Sequence, residues 1–172
     1  VLWCRSPARL RDAFSLTPDY LQTPEQASTQ LMDYGLALGR RLRALKLWFV
    51  LRWFGADGIA ARLRAHVRLA ATFAGWVDDD AGFERLAPAH FSVVVFRSVP
   101  AGLSEEALDR HNAAVLEAVN GSGEVYLSHT KVRGRYAIRL AIGNLRTTER
   151  HVRRAWELLC AAGAADTASV QD

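Results

Sequence analysis

Residues 31–55 read LMDYGLALGRRLRALKLWFVLRWFG. Within them Leu38, Leu42, Leu45, Phe49 and Trp53 recur at intervals of four, three, four and four, the spacing that lines one face of an α-helix. Gly55 and Asp57-Gly58 supply the stop. A second helix is expected behind it, with Ile59, Leu63, Val67, Ala70, Phe73 or Ala74, and Val77 on its stripe, running out at Asp78-Asp79-Asp80. Its length suits a connector between two domains. Basic residues gather on both helices: Arg40, Arg41, Arg43, Lys46, Arg52, Arg62, Arg64 and Arg68 lie in a stretch whose only acid is Asp57. Such a stripe can hold phosphates, but amphipathic helices with their charged faces in water give the same pattern, so no nucleic-acid partner is expected.

On the N-terminal side, Val1-Leu2-Trp3-Cys4 is an apolar run without a polar lead-in. It reads as the end of a buried strand, cut from something larger. Residues 6–14 read as a turn with one helical turn. Residues 15–30 hold Pro18, Pro24 and many small polar residues without a sustained period, and so form a loop. Loops of this length inside a domain often act as lids or binding segments, and the large amphipathic side chain near its middle is Tyr20.

On the C-terminal side the style changes. Phe91 to Phe96 is β-branched and aromatic, hence a strand. Ser104 with Glu105 and Glu106 behind it starts a helix, whose face carries Leu108, His111 or Asn112, Val115 and Val119, and which Asn120-Gly121 stops. Residues 125–128 and 136–140 are expected as two strands around a turn at Arg133-Gly134. Thr147 or Thr148 caps a last helix with Val152, Trp156 and Leu159 on its buried face. The order strand, helix, strand, strand, helix predicts an α+β fold, a small antiparallel sheet covered by helices. Residues 1–55 are then the tail of a larger domain, 56–165 a connector helix and small domain, and 166–172 a frayed tail.

The formal charge is +4, and all but Lys46 and Lys131 of the 22 basic residues are arginine. Cys4 and Cys160 are too few and too far apart for a disulfide framework, which suits a reducing, cytoplasmic setting. The longest apolar run, Leu47 to Leu51, is far too short to span a membrane. The five histidines (His66, His90, His111, His129 and His151) have no Cys or acid at metal-ligand spacing, so no metal is expected. There is no P-loop and no Gly-x-Ser-x-Gly elbow.

The stretch 31–55, above all LGRRLRALKLWFVLRWFG, resembles the group II pyridoxal-phosphate decarboxylases, the family of the aromatic-L-amino-acid, histidine and glutamate decarboxylases. Trp3 to Tyr20 resembles the segment that follows the family's cofactor lysine. Tyr136 to Trp156 resembles its last strand and helix. The resemblance covers nearly the whole chain and is closest to the aromatic branch. It implies the C-terminal end of a type I pyridoxal-phosphate fold working as a homodimer. The lysine that anchors pyridoxal 5'-phosphate is then expected upstream of Val1, and no residue here is assigned to the cofactor.

The resemblance carries over two positions and a neighbour. In the family the tyrosine matching Tyr20 closes over the partner subunit's active site. Loss of CO2 leaves a carbanion delocalised into the cofactor, which acts as electron sink; a phenol, of pKa about 10, is a competent acid for the α-carbon when water is excluded. Relatives that make aldehydes tend to carry Phe there, so Tyr20 implies plain decarboxylation to the amine. Gly39 matches the position that tunes substrate size, where Gly leaves room for a ring and Ser narrows the pocket; Leu38 lines the same wall. The stretch between Tyr34 and Leu38 is shorter than in animal aromatic decarboxylases, which leaves the identity of the aromatic substrate open. Arg139, mid-strand, invites comparison with the carboxylate-binding arginine of the related aminotransferases, though a structural ion pair is the plainer reading. The alternative to an enzyme fragment is a truncated, non-catalytic paralogue that docks on a full-length decarboxylase as a dimerisation or regulatory partner.

Overall fold

Pro7 opens the first helix, α1 (Pro7–Phe14), where its missing N–H costs nothing. The computed structural model describes residues 3–15, 31–35, 42 and 44–169. The chain divides into two units, Val1–Gly55 and Ala56–Asp172.

In the first unit, α1 is followed by a 3-10 turn, Leu31–Tyr34. The strand expected over residues 1–5 is corrected: residues 3–5 are coil and Trp3 is 92% exposed. A strand needs a neighbour for its backbone groups, and none pairs with this segment among the described residues. The long helix α2 (Ala44–Asp79) begins in this unit and breaks at Gly55, whose φ of 65° and ψ of 174° suit a residue without a Cβ. Of the expected stripe, Leu45, Phe49 and Trp53 lie on the helix, Leu42 precedes its start at Ala44, and Leu38 lies outside the described residues. Yet Leu45, Phe49 and Trp53 stay exposed, so the stripe has no cover among the described residues.

In the second unit the stripe does bury: Ala70, Phe73, Ala74 and Val77 of α2 lie in the core, whereas Leu63 and Val67 are exposed. A four-stranded antiparallel sheet follows, built from β1 (Phe83–Arg85), β2 (Val93–Ser98), β3 (Ser128–Val132) and β4 (Arg135–Ala141) in the order β1-β2-β4-β3. Helix α3 (Glu105–Gly121) connects the two hairpins, and α4 (Glu149–Ser169) closes the chain. The expected frayed tail is thus helical as far as Ser169.

All three helices touch one face of the sheet. Phe73 of α2 meets Phe96 edge-on at 5.1 Å and Trp156 of α4 at 5.6 Å, and Trp156 lies 4.8 Å from Phe83. Phe83 pairs with Ser98, so it shares the face of Phe96. Around these rings Val94, Ile138, Leu140, Val115, Val119 and Leu159 are buried, a layered α+β core as the periodicity implied. The opposite face carries Val95, Arg139 and Ser128 in one cross-strand row.

Two boundaries differ from expectation. β2 starts at Val93, because Phe91 takes a positive φ of 50° and turns its ring out to solvent. β3 starts at Ser128, not Val125, because residues 133–134 form a two-residue turn that sets Val132 opposite Arg135 and counts the register back from there. Among the described residues no helix is long and apolar enough to cross a membrane.

Candidate functional site

Tyr20, Leu38 and Gly39 lie outside the described residues, as do Arg40 and Arg41. What is described beside them is the start of α2. There Trp48 and Phe49 meet edge-on at 5.2 Å, the Arg52 guanidinium lies 5.9 Å from the Trp48 ring centre, and a shallow apolar cleft of about 550 Å³ runs along the helix.

In the second unit the polar groups fall into built clusters. Arg97, only 3% exposed although its side chain is charged, bonds Glu84 Oε1 through Nε at 2.5 Å and Glu105 through both terminal nitrogens at 2.8 and 3.2 Å. The hydrogen bonds from Arg97 hold the Glu105 carboxyl below the usual carboxylate range, and those carboxylates hold the guanidinium above its own. This ties β1, β2 and the first turn of α3 together. Glu105 was legible as a favourable charge at a helix N-terminus; its partner thirteen residues from Glu84 was not.

Ser98, His111 and Asn112 form a second, fully buried cluster. The Ser98 amide donates to Asn112 Oδ1 at 2.7 Å, and Asn112 Nδ2 donates to the carbonyls of Ser98 and Leu108. Ser98 Oγ donates to the Gly82 carbonyl at 3.3 Å and lies 3.0 Å from His111 Nε2. All three side chains are closed off from solvent and bonded to one another or to the backbone, which suits packing of α3 on β2 rather than contact with a substrate. The cluster is structural. Burial, helped by the Asp80 charge, pushes the Cys160 thiol up, which disfavours its thiolate.

Arg139 is half-buried in mid-strand and donates weakly to Ser128 Oγ at 3.4 Å. No acid pairs with it among the described residues, so the ion pair favoured for it on sequence is not present there.

Pyridoxal phosphate needs a lysine beside a cavity, an acid for its ring nitrogen and a nest for its phosphate. Lys46 and Lys131 are the chain's only lysines. They lie in different units, and neither lines the α2 cleft or the cavity of about 350 Å³ between the end of β4 and α4. The described residues do not fit the cofactor, and no group of three or more potential metal ligands occurs among them.

Comparison with known proteins places these features. Residues 1–99 match the family model of the pyridoxal-dependent decarboxylase conserved domain. The chain is 40% identical to tryptophan decarboxylase TDC1 of Camptotheca acuminata over 162 residues, covering 92% of this chain and 32% of that protein. It is 39% identical to phenylacetaldehyde synthase of a Rosa hybrid cultivar over 168 residues, with 92% and 33% covered. Among solved structures, Oryza sativa TDC with PLP and tryptamine superposes with a TM-score of 0.82 at 35% identity, covering 91% of this chain and 34% of that one. The chain therefore spans about a third of the length of the curated relatives it matches.

Proposed function

This chain belongs to the pyridoxal-dependent decarboxylase family, and on that premise we propose that it is the C-terminal part of a carboxy-lyase converting an aromatic L-amino acid to its amine and CO2. The observation that carries the reading is the likeness to tryptophan decarboxylase over 92% of the chain, with a tyrosine at position 20. The part of the reaction assigned to these residues is the proton's. After CO2 has left, Tyr20 delivers a proton to the substrate's α-carbon, a centre far more basic than a phenolate once water is shut out. Gly39 leaves space for the aromatic ring, and Leu38 forms the wall beside it. The protein works as a homodimer in which the Tyr20 loop serves the partner subunit's site. With too few cysteines for a disulfide framework, it suits the cytoplasm.

A second reading has one observation in its favour. The rose phenylacetaldehyde synthase is as similar as the tryptophan decarboxylase, so overall likeness does not separate amine formation from aldehyde formation. Tyr20 is the discriminating residue. The complete polypeptide, loaded with pyridoxal phosphate and given tryptophan, tyrosine, Dopa, phenylalanine or histidine, is expected to release CO2 and amine in equal amounts from at least one aromatic substrate. Tyr20→Phe is expected to lower amine yield at least tenfold and, in aerated buffer where O2 is the two-electron oxidant, to raise aldehyde together with ammonia and hydrogen peroxide. Aldehyde from the unaltered enzyme would establish the second reading. No CO2 from any substrate would overturn both and leave a non-catalytic dimerisation partner.

A further inference from the structure

The cavity between the end of β4 and α4 belongs to no part of the reaction proposed above. Its volume is about 350 Å³, within the range of small-molecule sites. Its floor is apolar: Leu127, Leu140, Ile142 and Val152 line it, each at most 5% exposed. Its rim is rich in donors. Tyr126, 84% exposed, offers a ring and a phenolic hydroxyl. His151 Nδ1 accepts the Thr148 amide at 3.1 Å; an amide can only donate, so the ring proton sits on Nε2 and is available to a ligand. Arg146 is exposed, lines the same cavity, and has no acidic partner among the described residues. The acid on the rim, Glu124, is already gripped by Arg154 through two bonds of 2.7 Å, which hold its carboxyl below the usual range.

We propose that this cavity binds a small organic carboxylate with a ring-sized apolar body, an arylalkanoate in class. The body lies on the apolar floor beside the Tyr126 ring, and the carboxylate takes the Arg146 guanidinium and the His151 Nε2–H. Charge complementarity selects an anion over a neutral or cationic ligand, because the rim carries a guanidinium without a counter-ion among the described residues and an acid that is already paired with Arg154. The floor selects an apolar body over a bare anion.

The test is a titration of the complete polypeptide, deuterated and 15N-labelled, with phenylacetate, followed by the amide shifts of this cavity. The expected result is saturable shifts at Leu127, Ile142 and Thr147. Acetate, which has the charge without the body, and 2-phenylethanol, which has the body without the charge, should each bind at least fivefold more weakly. Arg146→Gln should weaken phenylacetate at least fivefold, and its exposed side chain leaves the fold intact. Arg150→Gln, a nearby exposed arginine that does not line the cavity, should change it less than twofold. The proposal is overturned by the absence of saturable shifts at those amides, by equal affinity for 2-phenylethanol, or by equal losses in the two arginine variants.

Discussion

Asn112 satisfies the N–H and the C=O of Ser98 with one side-chain amide, the pattern that a neighbouring strand would otherwise supply. Both groups are buried, and a buried amide left without a partner costs about 1–3 kcal/mol. Asn112→Ala is therefore expected to lower the unfolding free energy by about 3 kcal/mol, measured from the midpoint of urea unfolding; a loss under about 0.5 kcal/mol would show that the cluster holds nothing. Asp at this position lacks the donor for the carbonyls and should be no better tolerated. The α-helical period marked residues 111 and 112 as alternatives for the buried stripe, and both are buried. Their polar partners were not legible, because Ser98 lies on a strand whose approach depends on tertiary packing. The same limit applies to Tyr20, Leu38 and Gly39. No periodicity distinguishes a proton donor from a loop tyrosine, so their roles rest on likeness to a family, and the Tyr20→Phe product analysis is what tests them.

At the scale of elements, the chain was most legible where a turn or cap has its own chemistry. Ser104 caps α3, its Oγ accepting the Ala107 amide at 3.3 Å, with Glu105 and Glu106 in the first turn as expected. Arg133 and Gly134 both have positive φ, 52° and 84°, the conformation a two-residue hairpin turn requires. Gly134→Ala meets no steric obstacle, since a Cβ there has nothing within 4 Å, but it must hold a left-handed backbone. The expected cost is about 1 kcal/mol, read as a lower denaturation midpoint with unchanged far-ultraviolet circular dichroism. A midpoint unmoved or raised would mean the turn is not held as described. Less was legible where pairing decides the outcome. β1 is three residues long, too short to alternate, and exists because it bonds to β2. The apolar start at residues 3–4 looked like a strand by composition, yet has no pairing partner among the described residues.

At the scale of the molecule, the two units differ in how their apolar stripes are resolved. The same 3.6-residue rhythm runs through α2 on both sides of Gly55; it is buried under Phe96 and Trp156 in the second unit and exposed at Trp53 in the first. A stripe announces a helix but does not name what covers it, which is why the helix was legible and its burial was not. The order β1-β2-β4-β3 also dictates a sequence in time. Both outer seams join strands that are neighbours along the chain, whereas the central seam brings Val94 to Leu140 across the whole of α3. Closing that long loop costs entropy before any contact repays it, so the two hairpins are expected to form early and the sheet to zip along its middle last. In stopped-flow refolding, Gly134→Ala should mainly slow folding, and Val94→Ala should mainly speed unfolding; the reverse pattern would place the central seam in the nucleus. A nascent chain would then hold β1 and β2 as a finished hairpin whose β2 edge, later central, stays open until β4 arrives, and that interval, rather than the native state, is when this unit is most open to misassociation.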